Sequence, residues 1–303
     1  MRVLLGSLTL LLAAAICANA QVSVDLLLDE PEFLRDESMT VRVRITNRSG
    51  RPLQLGQSND WLSFSIQASD GTTVPRVADP AVAGTFTVAS AQAATKTVNL
   101  MPCYEFPGPG RYVVSATVRI PQWDGEAPSA PVPFHIIKGS KLLEEEFGVP
   151  GPDGAPEMRK VALIRANGLK QQRLYARITD DADQRVFRVM PLGPMVSFGR
   201  PELRIDGSNT LHLLFQNGPR SFLYGAISPE GAWRARLTYD YGETRPGLRV
   251  NEQGRVLVQG GLRRVTAGDL PAPGAPSPVG ENPRPPAALP TPAPPTDAAP
   301  AKP

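Results

Sequence analysis

Histidine and cysteine are nearly missing from this chain, with two of each among 303 residues. A serine or cysteine nucleophile needs a partnering base, and a metal site needs clustered ligands. His135 and His212 stand alone in different segments, so neither arrangement is expected, and packing is the expected role for His212 within its apolar stretch. There is no His-Glu-x-x-His, no Cys-x-x-Cys, no nucleophile elbow and no phosphate-binding glycine loop. Gly108 and Gly110 lie between a turn and a strand, the wrong context for a nucleotide. A pair of distant carboxylates working on a sugar would leave no motif, and no sequence feature raises that option. The expectation is a non-enzyme without cofactor.

Excess charge is also lacking. The formal net charge is +3 and the basic residues are scattered, which argues against nucleic acid as a partner. Long apolar runs are confined to the start of the chain. Arg2, the run Leu4 to Ile16 and the small-residue signature Ala18-Asn19-Ala20 read as a signal peptide over 1–20, cut between Ala20 and Gln21. Acylation at Cys17 is not favoured, because Ile16 occupies a position that should be small. No later segment is apolar enough to span a bilayer, so an exported, periplasmic or extracellular chain without a transmembrane segment is expected. After the leader only Cys103 remains. It cannot form an internal disulfide and reads as a small buried hydrophobe.

Helical periodicity is absent too, and alternation takes its place. Met39, Val41, Val43 and Ile45 alternate with Thr40, Arg42 and Arg44, and Asn47-Arg48-Ser49-Gly50 supplies turn chemistry. Leu62, Phe64 and Ile66 alternate with Ser63 and Ser65, and further strands are expected near 85–89, 95–101, 111–120 and 132–137. Six or more short strands indicate a β-sandwich over 21–137. Gly110-Arg111-Tyr112, opening a late strand, resembles the penultimate strand of bacterial immunoglobulin-like domains, as does Asn47 at the end of an early one. The resemblance implies the fold only. Two departures accompany it: no cysteine pair, and a Trp61 that shares parity with Ser63 and Ser65, which puts it off the core face.

Residues 138–159 read as a linker with a short helix over 141–147, on which Glu144-Glu145-Glu146 form a solvated face. Residues 160–266 carry an internal repeat. Arg200-Pro201-Glu202-Leu203-Arg204-Ile205 returns 45 positions later as Arg245-Pro246-Gly247-Leu248-Arg249-Val250. Leu163 to Ile178, with its Asn167-Gly168 turn, is echoed by Leu213 to Ile227 with Asn217-Gly218, and Val256-Leu257-Val258-Gln259-Gly260-Gly261 repeats the strand and turn once more. A period of about 45–50 residues resembles propeller blades. A closed propeller needs four to eight blades. A compact unit in which the sheets pack on each other and on the sandwich is therefore favoured over a ring built from several chains. Asp180, Asp181 and Asp183 form an acidic turn, the weak candidate for a metal. Ser228-Pro229-Glu230-Gly231 makes the equivalent turn with one carboxylate, so a plain turn is expected. Residues 267–303 are rich in Pro and Ala, and from 270 onward the four charges cancel, the composition of a disordered tail.

The architecture expected is all-β: an immunoglobulin-like sandwich, a blade-like antiparallel repeat domain and a tail. The role expected is a bacterial envelope protein that binds or scaffolds an unidentified envelope protein or glycan. Trp61, Trp123, Trp233, Tyr239 and Tyr241 are the candidate contacts. Two alternatives are a proteinase inhibitor acting through Gln122-Trp123-Asp124-Gly125, and a carbohydrate-binding or carbohydrate-hydrolysing protein.

Overall fold

The computed structural model describes residues 21–151, 154–196 and 198–271. The signal-peptide reading and nearly all of the tail lie outside the described residues. What is described is all-β, with short 3-10 turns between strands.

The first unit pairs two sheets. One runs in the order β1 (Val22–Leu28), β3 (Thr40–Asn47), β7 (Ala93–Asn99). The other runs β2 (Glu32–Leu34), β10 (Val132–Ile137), β8 (Gly110–Ile120), β5 (Leu62–Ala68), with β9 (Gly125–Pro128) on the far end of β8. A small pair, β4 (Leu53–Leu55) with β6 (Phe86–Val88), closes one side. Met39, Val41, Val43 and Ile45 are all inaccessible to solvent, as their alternation requires. Asn47 ends β3 as a buried staple. Its Nδ2 donates to the carbonyls of Arg51 (2.7 Å) and Val88 (2.9 Å), and its Oδ1 accepts from the Ser49 amide (3.0 Å). Tyr112 packs in the core and donates from its hydroxyl to the Gly108 carbonyl at 2.6 Å, a bond back to the chain just upstream that has the form of a tyrosine corner.

Trp61 departs from the sequence expectation. It is 1% exposed, its Nε1 donates to the Val82 carbonyl at 3.0 Å, and its ring meets Phe86 edge-on at 5.3 Å. The parity argument failed because Asn59–Trp61 is a 3-10 turn. The twofold alternation of β5 starts only at Leu62.

The segment expected to be a linker with a short helix is a strand. β11 (Gly139–Pro150) pairs along its length with β12 (Pro156–Asn167), so the glutamates lie on an edge strand and Phe147 and Val149 enter a core. Pairing overrides the local helix preference of Leu142 to Phe147. β13 (Gln172–Asp180) and β14 (Val186–Pro194) complete a four-stranded meander. A second meander follows: β15 (Glu202–Ile205), β16 (Leu211–Gln216), β17 (Ser221–Ile227) and β18 (Trp233–Asp240). The third copy stops at two strands, β19 (Gly247–Val250) and β20 (Val256–Gln259), after which β21 (Leu262–Arg264) returns to pair with β18.

The sheets stack in series. Leu163, Leu174 and Ile178 of the first meander meet Leu213, Phe215 and Leu223 of the second in one core. The opposite face of the second, with Leu214, Phe222 and Tyr224, packs on Leu248 and Val256. Leu34 of the sandwich packs with Ala166, Tyr175 and Val189 on the outer face of the first. The fold also runs past the expected boundary at 266. Asp269 is buried and accepts from the Thr266 amide (3.0 Å) and Arg263 Nη2 (2.7 Å), and Leu270 exchanges two backbone bonds with Arg236. Proline becomes frequent only from Pro271 onward.

Trp61→Ala is expected to lower stability by ~3–5 kcal/mol through the cavity it leaves. Trp61→Phe, which orphans the Val82 carbonyl, should cost ~1–3 kcal/mol. Trp123→Ala should stay within ~0.5 kcal/mol, as for an ordinary surface change. Urea midpoints of the three variants check the placement.

Candidate binding site

Of the five aromatic candidates, two are withdrawn from any surface. Trp61 is core, and Tyr239 is 4% exposed beneath the Arg263 guanidinium, 5.7 Å from its ring. Tyr239 lies on the inner side of β18 because the register pairs it with Phe222, whose ring faces the last hairpin. Trp233 is half-buried, with its ring against Gly225. A Cβ there would sit 2.6 Å from a ring carbon, so glycine is required where the first repeat has Ala176. Trp123 and Tyr241 remain exposed, at 36% and 42%. The structure does not bring these two to the cleft described below. Trp123 closes a 3-10 turn whose following residue, Asp124, adopts φ +44°. The loop is therefore folded back on itself rather than extended.

The acidic turn is occupied by its own backbone. Asp180 Oδ1 accepts from the amides of Gln184 (2.7 Å) and Arg185 (3.0 Å), and Asp183 accepts from the Thr179 hydroxyl (2.9 Å). Among the described residues no cluster of three or more His, Cys, Asp or Glu side chains has the spacing to hold a metal ion. Cys103 is buried, and burial raises its thiol pKa.

His212 belongs to a buried polar chain. Its Nε2 lies 3.0 Å from Asp206 Oδ2 and its Nδ1 2.7 Å from the Tyr224 hydroxyl. Burial alone would raise the Asp206 carboxyl. Bonds from His212, Ser208 and Thr210 outweigh it and hold the pKa at about 2. An ionised Asp206 accepts from Nε2–H. The chain closes one end of the core between the second meander and the last hairpin.

The repeat gives Tyr224 a counterpart in Tyr175, and His212 a counterpart in Ala162. Tyr175 is accordingly buried, and its hydroxyl has no partner among the described residues. It lies where the sandwich meets the first meander, among carboxylates from the β1–β3 segment. Glu32 accepts from the Leu169 amide at 2.7 Å and leaves no room for a Cβ at Gly168. Glu30 pairs with Arg173 at 3.2 Å, and Asp36 lies 3.6 Å from Arg177. Burial pushes Glu37 up to about 7, against the lowering effect of the Leu34 amide and Arg173.

One open feature among the described residues of the repeat unit is a cleft of about 480 Å³ lined by Pro150, Gly151, Glu157, Arg159, Arg185, Phe187 and Glu230. Sheet register builds it. Arg159 on β12 stands opposite Asp180, and Thr179 beside it opposes Val186, so Arg159 and Phe187 meet across two strand spacings. The Arg159 and Arg185 guanidiniums lie 4.2 and 4.8 Å from the Phe187 ring centroid. Arg159 is satisfied, pairing through Nε with Glu157 at 3.1 Å and donating to the Pro229 carbonyl at 3.3 Å. The exposed Arg185 guanidinium has no carboxylate in ion-pair range among the described residues. Sequence reading passed over these residues, since nothing local in Arg185-Val186-Phe187 says that a third side chain, 26 positions upstream, completes the stack.

No family model matches the chain, and no curated protein matches it. A search of solved structures returns the crystal structure of the YadV chaperone at 1.63 Angstrom, with 11% identity over 79% of this chain and all of that one. Its TM-score is 0.21, too low to carry an argument about fold or function. No helix among the described residues is long and apolar enough to cross a membrane.

Glu37 sets a direction for stability against pH. A carboxyl raised from 4.5 to about 7 on folding gives stability that is complete below pH 4.5 and lost as pH rises through 7. The chain is expected to lose up to about 3 kcal/mol between pH 5 and pH 8 from this group, and Glu37→Gln should flatten the profile. Denaturant midpoints across that range decide it.

Proposed function

We propose that this chain is an exported, non-catalytic envelope protein that binds another protein, with the cleft at Phe187 receiving a carboxylate of the partner. The observation that carries the reading is the Arg185 guanidinium, 4.8 Å from an aromatic ring centroid at the mouth of a cleft and without a carboxylate in ion-pair range among the described residues. A guanidinium beside a ring keeps its planar fork for bidentate contact with a carboxylate, and Arg and aromatic residues are enriched among the residues that carry interface energy. Trp123 and Tyr241 offer secondary contact area elsewhere on the surface.

Three observations weigh against the alternatives. An inhibitor loop that mimics substrate is extended in the protease, whereas residues 121–124 form a tight turn ending in a left-handed Asp124. A sugar would need an open ring face, and the Phe187 ring is taken by two guanidiniums. The polar chain of His212 is spent inside the core and presents no base to solvent.

Cross-linked capture from an envelope extract, using the tagged chain 21–303, tests this. A stoichiometric protein recovered by the wild type, and at least about tenfold less by Arg185→Glu, is the expected outcome, since a lost charge-assisted contact is worth that much. Equal recovery by both removes the cleft from the account. Retention on a glycan column with no protein captured replaces the protein partner with a carbohydrate.

A further inference from the structure

One short segment fastens the sandwich to the repeat unit. Among the described residues, the hydrogen bonds and ion pairs that cross the junction all start from residues 30–36: Glu30 to Arg173, Glu32 to the Leu169 amide, and Asp36 to Arg177. The apolar part is equally small, with Leu34 against Ala166, Tyr175 and Val189 as its buried members. Each unit keeps a larger core of its own on either side, so the junction can part while both units stay folded. The described chain crosses once, through Lys138, the single residue between β10 and β11. Beside it, a Cβ at Gly139 would collide with Ile164 and Leu34, so the two units touch at the crossing point. A gap of about 310 Å³ remains between them, with Asp36, Ser38, Met101 and Pro102 on one wall and Val186 to Val189 of β14 on the other. The junction is a pivot with a partly packed interface.

Glu37 sits inside that interface, 6% exposed. Asp36 at φ +67° turns the chain so that the Glu37 side chain folds back and accepts from the Leu34 amide at 2.7 Å. The charged and titratable groups around it come from four elements. β13 supplies Arg173, whose charge favours ionisation, together with Tyr175, whose buried hydroxyl has no partner among the described residues, and Arg177. The segment of Glu37 itself supplies Glu30, which repels a second carboxylate, with Glu32 and Asp36 close in sequence. β10 supplies His135, opposite Glu32 in register, and β14 supplies Arg188 on the wall of the gap. Arg173 is bonded to Glu30, and no cation stands in ion-pair range of Glu37 among the described residues. An ionised Glu37 in the docked arrangement therefore has one amide as its partner. A neutral carboxyl needs no more, and burial pushes its pKa up to about 7.

We propose that Lys138 is a hinge and Glu37 its proton-controlled latch, the sandwich and the repeat unit staying docked while the carboxyl is neutral and swinging apart when it ionises. Parting at the junction hydrates the carboxylate at the expense of the few contacts of residues 30–36, whereas unfolding either unit would forfeit a whole core. Docking is at full strength below pH 4.5, weakens as pH rises, and reaches its floor above about pH 7. The hinge stands apart from the partner contact proposed at Arg185 and holds whether or not that contact exists.

Thiol labelling of the chain 21–303 reads the opening. Ala166 lies in the junction cluster and Ala176 in the core of the repeat unit, and both are fully buried, so Ala166→Cys reports docking and Ala176→Cys reports unfolding. Modification by a methanethiosulfonate reagent is followed by peptide mass spectrometry and divided by the rate of a free thiol at the same pH. The corrected rate at Ala166→Cys is expected to rise by up to about tenfold per pH unit between 5 and 7, while that at Ala176→Cys stays level. Adding Glu37→Gln should make Ala166→Cys level too, and His135 is still present in that variant, so the comparison isolates Glu37. Should Ala166→Cys disturb docking by itself, exchange of the Leu169 amide, which Glu32 holds across the junction at 2.7 Å, gives the same reading without a cysteine. A level rate at the junction, an equal rise at both positions, or a rise that survives Glu37→Gln overturns the proposal.

Discussion

Burial of both faces of the β15–β18 sheet is the constraint on which the second half of the molecule depends. One face contributes Leu213, Phe215 and Leu223 to the core shared with the first meander, and the other contributes Leu214, Phe222 and Tyr224 to the core shared with the last hairpin. A strand with apolar residues on both sides cannot stop at a solvent boundary without exposing one row. The half-sheet β19–β20 is the minimum cover for that second row. The return of β21 and Leu270 along β18 finishes the same task at the edge.

The same logic accounts for the polar groups inside. Two tyrosines occupy equivalent places in the two repeats, and their surroundings diverge. Tyr224 faces His212 and Asp206, whose ionised carboxylate anchors the chain of bonds. Tyr175 faces the sandwich instead, where Ala162 supplies no partner and the neighbouring groups are carboxylates and Arg173. One repeat therefore became a closed internal network. The other became a junction that joins two units through Glu30, Glu32 and Asp36, with glycine at 168 to let the carboxylate approach. This gives the junction a charge sensitivity that the inner core lacks.

At the cleft, Arg185 lies beside the Phe187 ring and has no carboxylate in ion-pair range among the described residues, so the contact proposed there is a matter of side-chain chemistry.

Much of this was legible in the residues. Alternation fixed β3 and β5, and the Arg-Pro corners fixed the starts of β15 and β19, because each depends on near neighbours in the chain. The Asn-Gly pairs marked the two reversals but not their form: the loops run on to Gln171 and Arg220, and none of the four residues takes a positive φ. Trp61 was misread because a single 3-10 turn shifts parity by one residue, and Leu142 to Phe147 because strand pairing with residues 156–167 outweighs local preference. The Phe187 stack was invisible because its members meet only through the register of three strands. By itself the sequence determined the strand class and the repeat, both carried by local pattern and residue type. Only the tertiary structure decided which aromatics face solvent and where the carboxylates converge. Those depend on the order in which sheets stack, which long-range burial settles and no local spacing encodes.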